Sequence, residues 1–134
     1  MPKFLLLKHY GGDPDVRCTP MSEWTPSEVA AHIDFQREVG RMLTESGEFV
    51  DAQGLSGDGA WVRYGGPGEP PVVTDGPFPE TKELVAGWFL IDVESAERAY
   101  EIAAYVSSAP GNGGKPIYER LEVRLVMSAP ATVE

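Results

Sequence analysis

Apolar residues run without interruption through Phe4-Leu5-Leu6-Leu7, inside a segment from Lys3 to Tyr10. A strand with one wet face alternates apolar and polar positions. A strand that does not alternate asks for burial on both faces. Leu84 to Val93 repeats the pattern: Trp88 and Leu90 point one way, Phe89, Ile91 and Val93 the other, and neither side is polar. Between these two strands the period changes to that of a helix. Thr25 can cap, Pro26 suits the first turn, and Glu28 completes a T-x-x-E capping box, predicting a helix to about Ser46 that stops at Gly47. Val29, Ile33, Phe35, Val39, Gly40, Met42 and Leu43 fall on one arc of that helix; Asp34, Arg37, Glu38, Arg41, Thr44 and Glu45 fall on the other.

Glu48 to Leu55, Trp61 to Tyr64 and Val72 to Thr74 read as shorter strands separated by SGDGA and GGPGEPP. A second helix is expected from Ser95 to Ser108, with Ala96, Ala99, Tyr100, Ala103 and Val106 inward, ended by APGNGGKP. Leu121, Val123, Leu125 and Met127 alternate with Glu122 and Arg124 in a last, half-exposed strand. The order is strand, helix, two or three strands, helix, strand. Two helices cover only one face of such a sheet. The first strand and the one from Leu84 would then leave an apolar face in water, which soluble monomers seldom tolerate. The pattern therefore predicts a homodimer, sheet against sheet.

The 134 residues suit a single domain, expected over 1–128 with a frayed tail at 129–134. A formal charge of −10, with no lysine–arginine cluster, opposes binding to nucleic acid or anionic lipid. No apolar run approaches the roughly 20 residues of a membrane helix, and no cleavage site follows Leu7, so the reading places the chain in the cytoplasm. Cys18 is the only cysteine, which excludes an internal disulfide and a thiolate metal set. It reads as a bystander thiol. GGPGEPP lacks the ending of a phosphate loop, and Asp13 with Asp15 do not make a metal site. No cofactor is expected.

TDGPFPETKELVAGWFLIDV resembles the signature of the DGPF group within the YciI-related family, and KFLLLKHY and LEVRLVM resemble that family's first and last strands. The resemblance covers nearly the whole chain. It implies an α+β, ferredoxin-like βαββαβ-type antiparallel sheet with two helices on one face, its sheets pairing into a dimeric α+β barrel. Its members mostly lack an established reaction. Smaller relatives have been suggested to be enzymes because a histidine and an aspartate meet in a cleft, and some DGPF relatives carry a label linking them to transcription initiation.

The candidate residues follow from both sources. His32 falls inside the apolar arc with Gln36 one turn on, so its imidazole should point at the sheet. It is either a proton donor and acceptor for a small organic molecule, or a buried ring hydrogen-bonded to a backbone carbonyl or to Gln36. The smaller relatives' aspartate would fall near Glu45, on the polar face. Asp75, at a strand end beside a kink, is the better candidate acid, although aspartate before glycine commonly just stabilises a turn. Pro77 and Pro79 then fix the bend that starts the next strand. Lys82 and Glu83 could hold or protonate a substrate, or simply form a solvated strand edge. Trp61 and Trp88 are expected in core or dimer packing. A non-catalytic dimer binding a small ligand or a protein is the alternative to an enzyme.

Overall fold

The computed structural model describes residues 1–10, 21–76 and 84–127. Its centre is a four-stranded sheet. Strand β1 (Lys3–Tyr10) lies between β5 (Leu84–Asp92) and β6 (Glu122–Leu125), and β2 (Phe49–Gly54) borders β5 on the far side. Every neighbouring pair is antiparallel. With helix α1 (Pro26–Glu45) after β1 and α2 (Ala96–Ser107) after β5, this is the ferredoxin-like order. The two remaining strands do not join that sheet. β3 (Gly59–Arg63) and β4 (Val72–Gly76) pair only with each other, as a ribbon inserted between β2 and β5.

The punctuation of α1 is as its sequence dictates. The Thr25 hydroxyl accepts from the Glu28 N–H at 3.2 Å, and the Glu28 carboxylate accepts from the Thr25 N–H at 2.8 Å. Gly47, at φ 79°, takes the left-handed position beyond the last turn. Ser95 caps α2 by accepting from the Arg98 N–H at 3.1 Å.

Phe4, Leu6, Phe89, Ile91 and Val93 project from one face of the sheet and pack with Val39 and Leu43 of α1 and Ala99, Ile102 and Val106 of α2. The inward stripe of α1 is narrower than the arc its sequence suggests. Ile33 and Met42 lie about a quarter turn either side of His32, where a helix resting on a sheet meets solvent, and both are exposed. On α2 Tyr100 is likewise exposed, and Ile102 takes the inner place.

The ladder puts Leu5 opposite Leu90 and Leu7 opposite Trp88. Paired residues share a face, so these four form an apolar strip on the side without helices. Leu7 is buried, while Leu5, Trp88 and Leu90 are partly exposed. Asp51 and Gln53 flank the strip on β2; Glu122 and Arg124 flank it on β6.

A half-buried ion pair ties α2 to the connection after α1. Arg98 donates two hydrogen bonds to the Glu48 carboxylate, at 2.8 and 2.9 Å, and the Ser46 hydroxyl adds a third at 2.7 Å. These bonds hold Glu48 below the usual carboxylate range.

Candidate functional site

His32 is the one buried polar residue of α1, at 3% exposure. Its place follows from helical spacing: Val39 and Leu43 lie within about 20° of it on the wheel and carry it onto the sheet. The loop after α2 closes over the ring. Its Pro110 carbonyl lies 2.9 Å from Nδ1, and the Gln36 side-chain amide lies 2.9 Å from Nε2. Trp24 packs edge-on against the imidazole, ring centres 5.3 Å apart.

Those partners decide the tautomer. A carbonyl can only accept, so Nδ1 carries the proton and donates it to Pro110. The Nε2 lone pair then accepts from the Gln36 amide. Burial, and then the Lys8 ammonium, push the imidazole below its ordinary 6.5; the Pro110 carbonyl and the Glu119 carboxylate act the other way and do not outweigh them. The ring is neutral at pH 7.

The same loop is fixed to α1 at a second point. The Glu28 carboxylate accepts from the Gly113 N–H at 2.5 Å, so the capping residue of the helix also holds the turn at 112–114. The chain then folds back, with Tyr118 N–H donating to Ser107 and Ile117 N–H to Ala109. Tyr118 has φ 55°, a left-handed backbone that costs a non-glycine residue about 1–2 kcal/mol. The next residue, Glu119, forms an ion pair with Lys8 at 3.1 Å; the two side chains are only 19% and 12% exposed. A left-handed residue thus immediately precedes the carboxylate that pairs with the β1 lysine, and both charges act on the histidine.

Two of the sequence candidates are brought together here, His32 and Gln36. Asp75 lies elsewhere, opposite Ala60 on the ribbon, where it is exposed and its carboxylate makes no hydrogen bond or ion pair among the described residues. Lys82 and Glu83, with the rest of the bend from Pro77 onward, lie outside the described residues, as do Asp13, Asp15 and Cys18. Glu45 lies on the exposed face of α1, paired with Arg41 at 2.5 Å. Sequence reasoning missed Lys8 and Glu119. A signal for Lys8 was present: it continues the alternation of Phe4 and Leu6, and a lysine on the core side of a strand requires a buried anion. Which acid that would be was not encoded locally.

Gly76, the glycine of the DGPF stretch, has a reason of its own. A Cβ there would stand 2.7 Å from two atoms of the Trp61 indole, which lies across it from the neighbouring strand. Aromatic rings commonly cover strand glycines in this way.

The YCII-related domain family model matches residues 22–123, from the turn before α1 into β6. Matched over most of its length, the chain belongs to that family, and its α+β fold agrees. A comparison with curated proteins finds no match. Among the described residues no helix is long and apolar enough to cross a membrane, and no group of three or more His, Cys, Asp or Glu could hold a metal ion.

Proposed function

We propose that this YCII-related chain is a member of the DGPF group that works as a homodimer and carries out acid–base chemistry on a small organic molecule at His32. The observation that carries the reading is a buried, neutral imidazole whose Nε2 lone pair accepts from a side chain, Gln36, and not from the backbone. A core position at this depth is served as well by leucine or phenylalanine, which need no hydrogen-bond partners. In this reading Gln36 releases Nε2 when substrate enters, and its amide then orients the substrate. Nε2 then accepts a proton. The Nδ1–H bond to Pro110 keeps the ring aligned and stabilises the imidazolium.

Glu119, paired with Lys8, is the carboxylate that acts on His32 within one protomer. Asp75 remains the acid supplied by the DGPF turn, and Lys82 and Glu83 the further substrate contacts from the segment behind it. A non-catalytic dimer that binds a small ligand or a protein is the second reading. Its support is that both ring nitrogens already have partners, so the histidine could serve only to join α1 to the loop at 110. The acidity of the chain counts against a direct transcriptional role on DNA.

His32→Asn separates the two readings. The asparagine amide can still donate to Pro110 but has no titrating base. In a metabolite screen that the parent protein answers, the variant is expected to stay folded and to lose turnover by about 100-fold or more. Unchanged turnover would eliminate His32 as the base; unchanged ligand binding without turnover in either protein would establish the second reading.

A further inference from the structure

The ribbon β3–β4 stands largely in solvent. All of its residues but Gly76 are exposed, with Val62 at 65%, Val73 at 63% and Tyr64, just past its end, at 77%. The register places Val62 opposite Val73 on one face, and Trp61 opposite Thr74 on the other. Both faces are thus largely apolar. An isolated two-stranded ribbon is at best marginally stable in water and needs packing on at least one side.

Its place in the chain says where it reaches. The β2–β5 ladder ends at Gly54 opposite Gly87, and the ribbon is inserted between the strands at that end. Five pairs at about 3.3 Å per residue give an arm roughly 17 Å long. Charge says what it can approach. In a chain of net charge −10, the paired strands carry only Arg63 and Asp75, which cancel, and the connection between them adds the single charge of Glu69. It can lie on another acidic copy with little repulsion.

Area supplies the third argument. The open face of the sheet spans four strands about 4.8 Å apart and some 20–25 Å along the central pair, on the order of 450 Å² of flat surface. A stable interface buries about 800 Å² per partner. The sheet alone therefore provides little more than half. One face of the ribbon is about 170 Å², and the patch it covers on the other copy is of equal size, which makes up the difference.

We infer that β3–β4 is a clasping arm: in the dimer, each copy lays its ribbon against the other, and the arms complete an interface that the sheet faces begin. The inference rests on the dimer proposed above. Its occupant is a second copy of this chain.

The test combines sedimentation equilibrium with hydrogen exchange on the full chain, and uses the double variant Val62→Asp, Val73→Asp. Both positions are solvent-exposed in the protomer, so the variant should keep the parent's circular dichroism and the slow exchange of its β1 and β5 amides. The dimer dissociation constant is expected to rise at least 100-fold, and in the parent the β3–β4 amides should slow in step with dimer formation. A parent dimer whose dissociation constant is unmoved by the double substitution would overturn the arm and leave the dimer standing. So would ribbon amides that exchange freely in the dimer, which would assign the ribbon to a different protein. Ribbon amides already slow in the monomer would show the chain's own surface covering it, again overturning the arm. A parent that stays monomeric at about 100 µM would overturn both the arm and the dimer on which it rests.

Discussion

A neutral imidazole held between Pro110 and Gln36 makes stability depend on pH in a fixed direction. The unfolded chain binds a proton at His32 near 6.5, and the folded chain binds it only at lower pH. Below 6.5 the unfolded state therefore holds more protons, and stability falls as the pH drops from there through the folded value. Above 6.5 the contribution is fully present. Denaturant titrations at pH 7 and pH 5 should show the parent losing more stability than His32→Asn over that interval. An equal loss in the two proteins would contradict the assignment. Tyr118 makes a second residue-scale case. Glycine adopts φ 55° without the steric penalty, so Tyr118→Gly is expected to change stability by less than about 1 kcal/mol, the relieved strain offsetting the extra freedom of the unfolded chain. A loss of several kcal/mol in thermal unfolding would mean that the tyrosine ring itself holds the loop.

At the scale of elements, two contacts decide how the pieces are held. Gly87 sits where β2 crosses close to β5: a Cβ would come 2.6 Å from the Gln53 carbonyl oxygen and 3.2 Å from Gly54 Cα. Both are backbone atoms that cannot swing aside, so Gly87→Ala should cost about 1–3 kcal/mol in chemical denaturation. A neutral result would mean that β2 can shift away from β5. Arg98→Ala removes the partner of Glu48 and should cost about 2 kcal/mol at neutral pH, shrinking as Glu48 is protonated below its ordinary 4.5. The helices themselves were legible before the structure, because the cap at Thr25, the glycine at 47 and the APGNGGKP stop are local signals. The ribbon was not. The local pattern marks Trp61–Tyr64 and Val72–Thr74 as strands, but says nothing about whether they join the main sheet. The site was legible by half. His32 and Gln36 share a helix face, a matter of spacing, whereas Lys8 and Glu119 come from opposite ends of the chain and meet only through the fold.

For the whole molecule, the governing fact is that helices cover one side of the sheet and nothing described covers the other. Leu5, Trp88 and Leu90 remain partly in water, and beyond them extends a ribbon that is apolar front and back. Burial of apolar surface gains about 25 cal/mol per Å² and so favours covering these faces, while the charge of −10 opposes pairing of two copies until salt screens it. Trp88→Arg, at the middle of the strip, should weaken association at least tenfold in sedimentation experiments without unfolding the protomer. No change in association would move the interface off the sheet.

The decisive measurement is the mass in solution of the unaltered chain, by multi-angle light scattering on a dilution series at physiological ionic strength. Twice the protomer mass, persisting to low micromolar concentration, is the predicted result. A folded species of single protomer mass throughout the series would contradict the account.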